Sequence, residues 1–209
     1  MLRVRTRSEG FSVLELAIVL VIVAFVVTLG IRLQQSSQQA RVTTIERARL
    51  TQAHQVVVRF ALTQHRLPCP DTTANGGGVE AQSGGICASS TGWLPYVTLG
   101  MPIPTGQGTD ARMRYGVYRG ATSSATLTAT ELESALASAL PQPPDTAFPY
   151  VPTRAGCTVA QLNPAFALAI SDGPQEAMNR CFEDSVGLSA TLTDVEGVAD
   201  LLAKVHAGT

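Results

Sequence analysis

One carboxylate, Glu15, stands near the start of an apolar run, RSEGFSVLELAIVLVIVAF, over residues 7–25. Residues 16–29 carry no charge and a single hydroxyl, Thr28. A carboxylate inside such a run costs roughly 2.5–3.5 kcal/mol at the centre of a membrane span and less near its end, so it calls for a named partner. Cys69, Cys87, Cys157 and Cys181 are the second set of reactive residues, and all follow the apolar run. An even cysteine count behind a membrane-targeting segment points to disulfides made in an oxidising compartment. Four cysteines allow three pairings. The neighbour pairing, Cys69 with Cys87 and Cys157 with Cys181, is favoured over the others and over four buried thiols. With no Cys-x-x-Cys pair in the chain, a zinc site is disfavoured.

Other candidate chemistry is sparse. His54 and His65 are eleven apart and share a helical face, with Asp71 nearby in sequence. That set could hold a metal, but solvated polar residues are the better reading. Arg112, Arg114 and Arg119 form the one local basic cluster after the N-terminus, and strand alternation separates Arg119 from the other two. Four paired cysteines leave no thiol for Cys–His catalysis. The chain contains no G-x-S-x-G, Walker A, H-E-x-x-H or dinucleotide-binding fingerprint. The expectation is a non-enzymatic protein with no cofactor and no metal. The formal net charge of −1 indicates no strong electrostatic partner.

Arg3, Arg5 and Arg7 ahead of the apolar run place the N-terminus in the cytoplasm. The best signal-peptidase site, Thr28-Leu29-Gly30, is weak, so the run is expected to stay on the protein. Residues 11–31 would make about 31 Å of helix, enough for a bilayer core of ~30 Å. The chain then turns polar without a break, reaching Pro68 before any proline and Gly76 before the next glycine. Ala53, Val56, Val57, Phe60 and Ala61 mark one helical stripe. The expectation is a single helix over residues 12–64, about 80 Å long.

Pro68-Cys69-Pro70 ends that helix. A Gly-rich loop follows over residues 71–92, and Trp93, Leu94, Tyr96, Val97 and Leu99 are expected to cap the core. RMRYGVY, residues 112–118, alternates as a half-buried antiparallel strand does, with Met113, Tyr115 and Val117 on one face. AFALAIS, residues 165–171, is a second strand, and CTVAQLN, residues 157–163, contributes to a third. Residues 128–140 read as a short helix in which Thr130 and Glu133 offer a capping pair. Five prolines make residues 141–152 a loop. Residues 193–205 suggest a closing helix or strand–helix edge.

Gly10, then Phe11, then Glu15 four residues on, then the apolar run, resembles the class III signal of type IV prepilins and type II secretion pseudopilins. LPCPD, GWLPYVTLGMP and RMRYGVYRG resemble one subgroup of such prepilin-like proteins. Glu9 departs from the family, which often has Lys or Arg before the glycine. The resemblance implies cleavage by a prepilin peptidase after Gly10 and N-methylation of Phe11. It also implies assembly in which Glu15 pairs with an N-terminal amine, its own or that of a neighbouring subunit. A bland alternative leaves Glu15 at the level of the lipid headgroups. The implied fold is α+β and pilin-like: a long N-terminal helix, half transmembrane, on a small antiparallel sheet with long disulfide-tied loops. The implied organisation is a leader at 1–10, a transmembrane and filament-core half-helix at 11–31, an amphipathic half-helix at 32–66 and an extracytoplasmic α+β domain at 67–209.

The implied role is that of a structural subunit, a minor pilin or pseudopilin, in a pilus or type II secretion-like filament. The implied partners are the prepilin peptidase, other subunits, an inner-membrane assembly platform and membrane lipid. The protein would cross the bacterial inner membrane once, with its C-terminal domain in the periplasm. The rival expectation is a single-pass anchor holding a periplasmic binding or adhesion domain that forms no filament. Some minor pilins bind DNA, but removal of residues 1–10 takes away three arginines and one glutamate. The remaining acidic domain is a poor nucleic-acid binder. Asp172, Glu183, Asp184, Asp194 and Asp200 lack the spacing of the calcium loop found in some pseudopilins.

Overall fold

Leu50, Ala53, Val57 and Ala61 recur every three to four residues in a stretch free of Gly and Pro, which puts them on one side of a helix. That helix, α1, runs Val13–Gln64. The computed structural model describes residues 13–74, 77–83, 86–104, 112–118, 128–153, 156–171, 176–185 and 191–208, with side chains for residues 16–25 and from 44 onward. The chain divides into two compact units, Met1–Ile45 and Glu46–Thr209.

In the first unit the described side chains belong to α1 residues 16–25, 44 and 45, and every one of them is exposed. Among the described residues no helix is long and apolar enough to cross a membrane. A span needs about 20 consecutive apolar residues. This finding overturns the pilin-like fold class with its half-transmembrane helix. It equally overturns the single-pass inner-membrane placement with a periplasmic C-terminal domain.

The second unit is built on a four-stranded antiparallel sheet. Its strands are β3 (Thr91–Trp93), β4 (Arg114–Val117), β7 (Phe166–Ser171) and β8 (Thr191–Glu196), hydrogen-bonded in that order. Two small ribbons flank it. One pairs β1 (Gln82–Ser83) with β2 (Ile86–Cys87), and the other pairs β5 (Val151–Pro152) with β6 (Ala160–Leu162). The region expected to be an irregular Gly-rich loop therefore holds a short ribbon and the edge strand β3. CTVAQLN supplies β6 to a separate ribbon rather than to the main sheet.

Strand register sorts the side chains. Tyr115 faces Leu168 and Val117 faces Phe166, and on the far side of β7 the same face carries Leu192, Asp194 and Glu196. This face packs with Leu50, Ala53, Val57 and Ala61 of α1 into the main core. α2 (Ala129–Ala139) adds Leu132 and Leu136 to it, and α3 (Val198–Gly208) adds Val198, Leu201 and Val205. The cap of α2 lies two positions earlier than the pair Thr130 and Glu133. Thr128 accepts a hydrogen bond from the Glu131 N–H, and the Glu131 carboxylate accepts one from the Thr128 N–H at 2.7 Å. Glu133 lies instead 3.1 Å from His206 on α3.

The opposite face of the sheet is also covered. Phe182 packs on Ala167 and Ala169 and closes over Gly116 so tightly that a Cβ there would lie 2.7 Å from its ring. All four residues of β4 are buried. The expected half-buried strand is thus a fully buried one, because Pro149, Cys181 and Phe182 cover the face that alternation assigns to solvent.

Candidate functional site

Three groups of residues stand out from the purely structural background. The first is the apolar surface of α1. Leu16, Ile18, Val19, Leu20, Val21, Ile22, Val23 and Phe25 are 49–69% exposed, and together they cover every side of the helix. A helix apolar all round is normally buried. Glu15 lies within α1, but its side chain falls outside the described residues, as do Gly10 and Phe11 entirely.

The second group joins α1 to the far end of the chain. His54 lies on the buried stripe of α1, against the ring of Phe166 at 5.0 Å. Its Nε2 is 2.7 Å from Glu196 Oε2. Its Nδ1 is 3.1 Å from Asp194 Oδ1, within ion-pair range but outside good hydrogen-bond geometry. Glu196, with its side chain 4% exposed, also accepts from Lys204 Nζ at 2.7 Å on both oxygens. The Asp194 carboxylate and then Glu196 favour the imidazolium and raise His54 above its ordinary value of 6.5, while burial works against them. The four residues make a polar clamp between α1, β8 and α3. His65 takes no part in it, and Asp71 is fully buried, accepting from the Thr73 and Gly78 N–H groups. The considered metal set of His54, His65 and Asp71 is therefore replaced by two unrelated structural roles.

The third group surrounds Arg114 on β4, which is 6% exposed and carries its charge without a carboxylate partner among the described residues. Nη2 donates to the Cys181 carbonyl at 2.7 Å and Nη1 to the Asn179 carbonyl at 3.3 Å. The guanidinium sits 4.4 Å over the Phe182 ring. Its Nε has no hydrogen-bond partner, and burial alone lowers the group to about 10. The arginine expected to belong to a surface cluster is thus internal, and Arg119 lies outside the described residues.

The cysteines form two disulfides, Cys69–Cys87 and Cys157–Cys181, with Cα separations of 5.2 and 5.8 Å. Beside the first, Arg66 donates to both oxygens of Glu80, at 2.7 and 3.0 Å, and Glu80 accepts from the Cys69 N–H. Among the described residues, Cys157, Cys181 and Glu183 bring metal-ligand atom types together. Their two sulfurs are bonded to each other, so they make no metal site. Asp184 accepts from Thr193 and Glu183 from the Gly156 N–H, while Asp172 lies outside the described residues.

No family model, curated protein or solved structure matches the chain.

The second group left traces in the sequence that periodicity could have found. His54 falls on the α1 stripe at +4 from Leu50, and Leu192, Asp194 and Glu196 alternate onto one strand face. Arg114 gave no such trace, because its burial depends on residues 179–182, more than sixty positions away.

Proposed function

We propose that the chain is a structural subunit, a minor pilin or pseudopilin, that joins a pilus or type II secretion-like filament through its N-terminal helix. The observation that carries this reading is the apolar surface of residues 16–25, exposed on all sides in the single chain. Burying one large apolar side chain contributes about 1.5–3 kcal/mol. Eight such residues, already half covered by their own helix, would yield on the order of 10 kcal/mol gross before the costs of association. Packing against the same segment of other copies supplies that burial.

The sequence pattern adds a register device. Cleavage after Gly10 by a prepilin peptidase would create an amine on Phe11, four positions from Glu15. Opposite charges at that spacing pair along a helix or, in an assembly, between neighbours. Removing one member of such a pair in an apolar setting leaves an uncompensated charge. Other subunits and an assembly platform are the partners this role requires.

The test is the intact mass of the protein from cells with and without the peptidase. Loss of residues 1–10 and gain of one methyl, only when the peptidase is present, is the expected result. In processed material, Glu15→Ala is expected to abolish incorporation into filaments while leaving the second unit folded. A full-length chain in both strains would overturn the proposal.

A further inference from the structure

Arg114 also forms part of a cleft of about 370 Å³, in the size range of small-molecule sites. Ser171, Glu176, Asn179, Glu183, Ser185 and Thr191 line it with Arg114, and the Cys157–Cys181 disulfide closes one side. A buried guanidinium is normally paired with an anion, because desolvating a lone charge is costly. Here two backbone carbonyls and the Phe182 ring hold the group, its Nε has no partner, and neither Glu176 nor Glu183 forms an ion pair with it. Among the described residues, the cleft therefore joins an unpaired cation to two carboxylates that do not neutralise it. Glu183 is tied to the Gly156 N–H at 3.2 Å, which fixes its carboxylate in the cleft wall.

A bare anion would be drawn to Arg114 and repelled by the two glutamates. A bare cation would meet the reverse. We propose that this cleft binds a small zwitterion of the amino-acid class, its carboxylate on Arg114 and its ammonium toward Glu183 and Glu176. Guanidinium–carboxylate pairing is the strongest polar recognition the cleft offers. The side chains of Ser171, Ser185 and Thr191 supply additional polar groups to the lining. The inference is independent of filament assembly, since every residue it uses belongs to the second unit.

The probes are L-alanine, acetate and ethylammonium, titrated against the full chain by saturation-transfer NMR. L-Alanine is expected to bind saturably and about tenfold tighter than either half-ligand, a gap of about 1.4 kcal/mol. Arg114→Met should remove binding of both L-alanine and acetate. Because Arg114 also holds the 179–181 carbonyls, that variant is first checked for folding by circular dichroism. Glu183→Gln serves as the second variant: acetate binding should persist while the preference for L-alanine over acetate shrinks. The proposal is overturned if no probe saturates, if acetate binds as tightly as L-alanine, or if Glu183→Gln leaves the preference unchanged.

Discussion

α1 carries two apolar surfaces with opposite fates. At Leu50, Ala53, Val57 and Ala61 the side chains are 0–3% exposed, sealed by the sheet and by α2 and α3. At residues 16–25 apolar side chains of similar or larger size stand in the open. The buried stripe occupies one side and has a polar complement, so the chain completes it. The exposed stretch is apolar on all sides, and no single sheet face could cover it. The difference teaches that one portion of the helix belongs to the folding core, whereas the other receives no cover from the described residues of the chain.

The comparison can be broken most forcefully by exchanging which surface is damaged. Phe166→Ala removes a fully buried ring from the central strand β7 and should cost about 3–5 kcal/mol. Ile22→Ser, in the exposed stretch, should change the unfolding of the second unit by no more than about 0.5 kcal/mol. Urea denaturation followed by Trp93 fluorescence reads both. Equal destabilisation would mean that the apolar stretch belongs to the folding core after all.

A smaller effect comes from the covalent ties of the second unit. Replacing Cys69 and Cys87 together by Ser releases a loop with a sequence separation of 18. The chain-entropy model assigns such a loop about 3 kcal/mol, and a loss of about 2–4 kcal/mol is expected in the same titration. The Arg66–Glu80 ion pair beside the bridge should keep the loop partly ordered, so the value belongs at the lower end.

Changing pH gives the finest contrast. The folded state raises His54, so it holds that proton more firmly than the unfolded chain does. The resulting stabilisation is fully present below the unfolded value, near 6.5, and is lost as pH rises through the higher folded value. Unfolding midpoints of the wild-type protein should therefore fall between mildly acidic and alkaline buffer. His54→Gln should flatten that slope, and an unchanged slope would assign the dependence to another group.

The elements were more legible than the site. Apolar periodicity outlined the stripe of α1 and the positions of β4 and β7, because local sterics and burial act on neighbours in sequence. The capping pair of α2 was placed two residues late, since Thr128 and Thr130 both precede a glutamate at the right spacing. Only the backbone at Thr128, extended with φ −75° and ψ 160°, distinguishes them. Alternation in RMRYGVY separated the two faces correctly but assigned one to solvent. Phe182 and Pro149, remote in sequence, cover that face. Arg114 was misplaced at the surface for the same reason. The membrane reading failed differently. It rested on the length of an apolar run, whereas no described helix is long and apolar enough to cross a membrane.

The clamp of His54 on Glu196 has a consequence for the order in which the molecule forms. Its two ends are 142 positions apart, and contacts of such long range slow folding because the intervening chain must be gathered first. During synthesis the face of α1 bearing Leu50, Ala53, Val57 and Ala61 emerges long before β8 and α3 exist to cover it. At about 5–20 residues per second, it waits on the order of ten seconds uncovered. The nascent chain thus carries two sticky surfaces on one helix, and a holdase that shields α1 until Lys204 has been made would protect both.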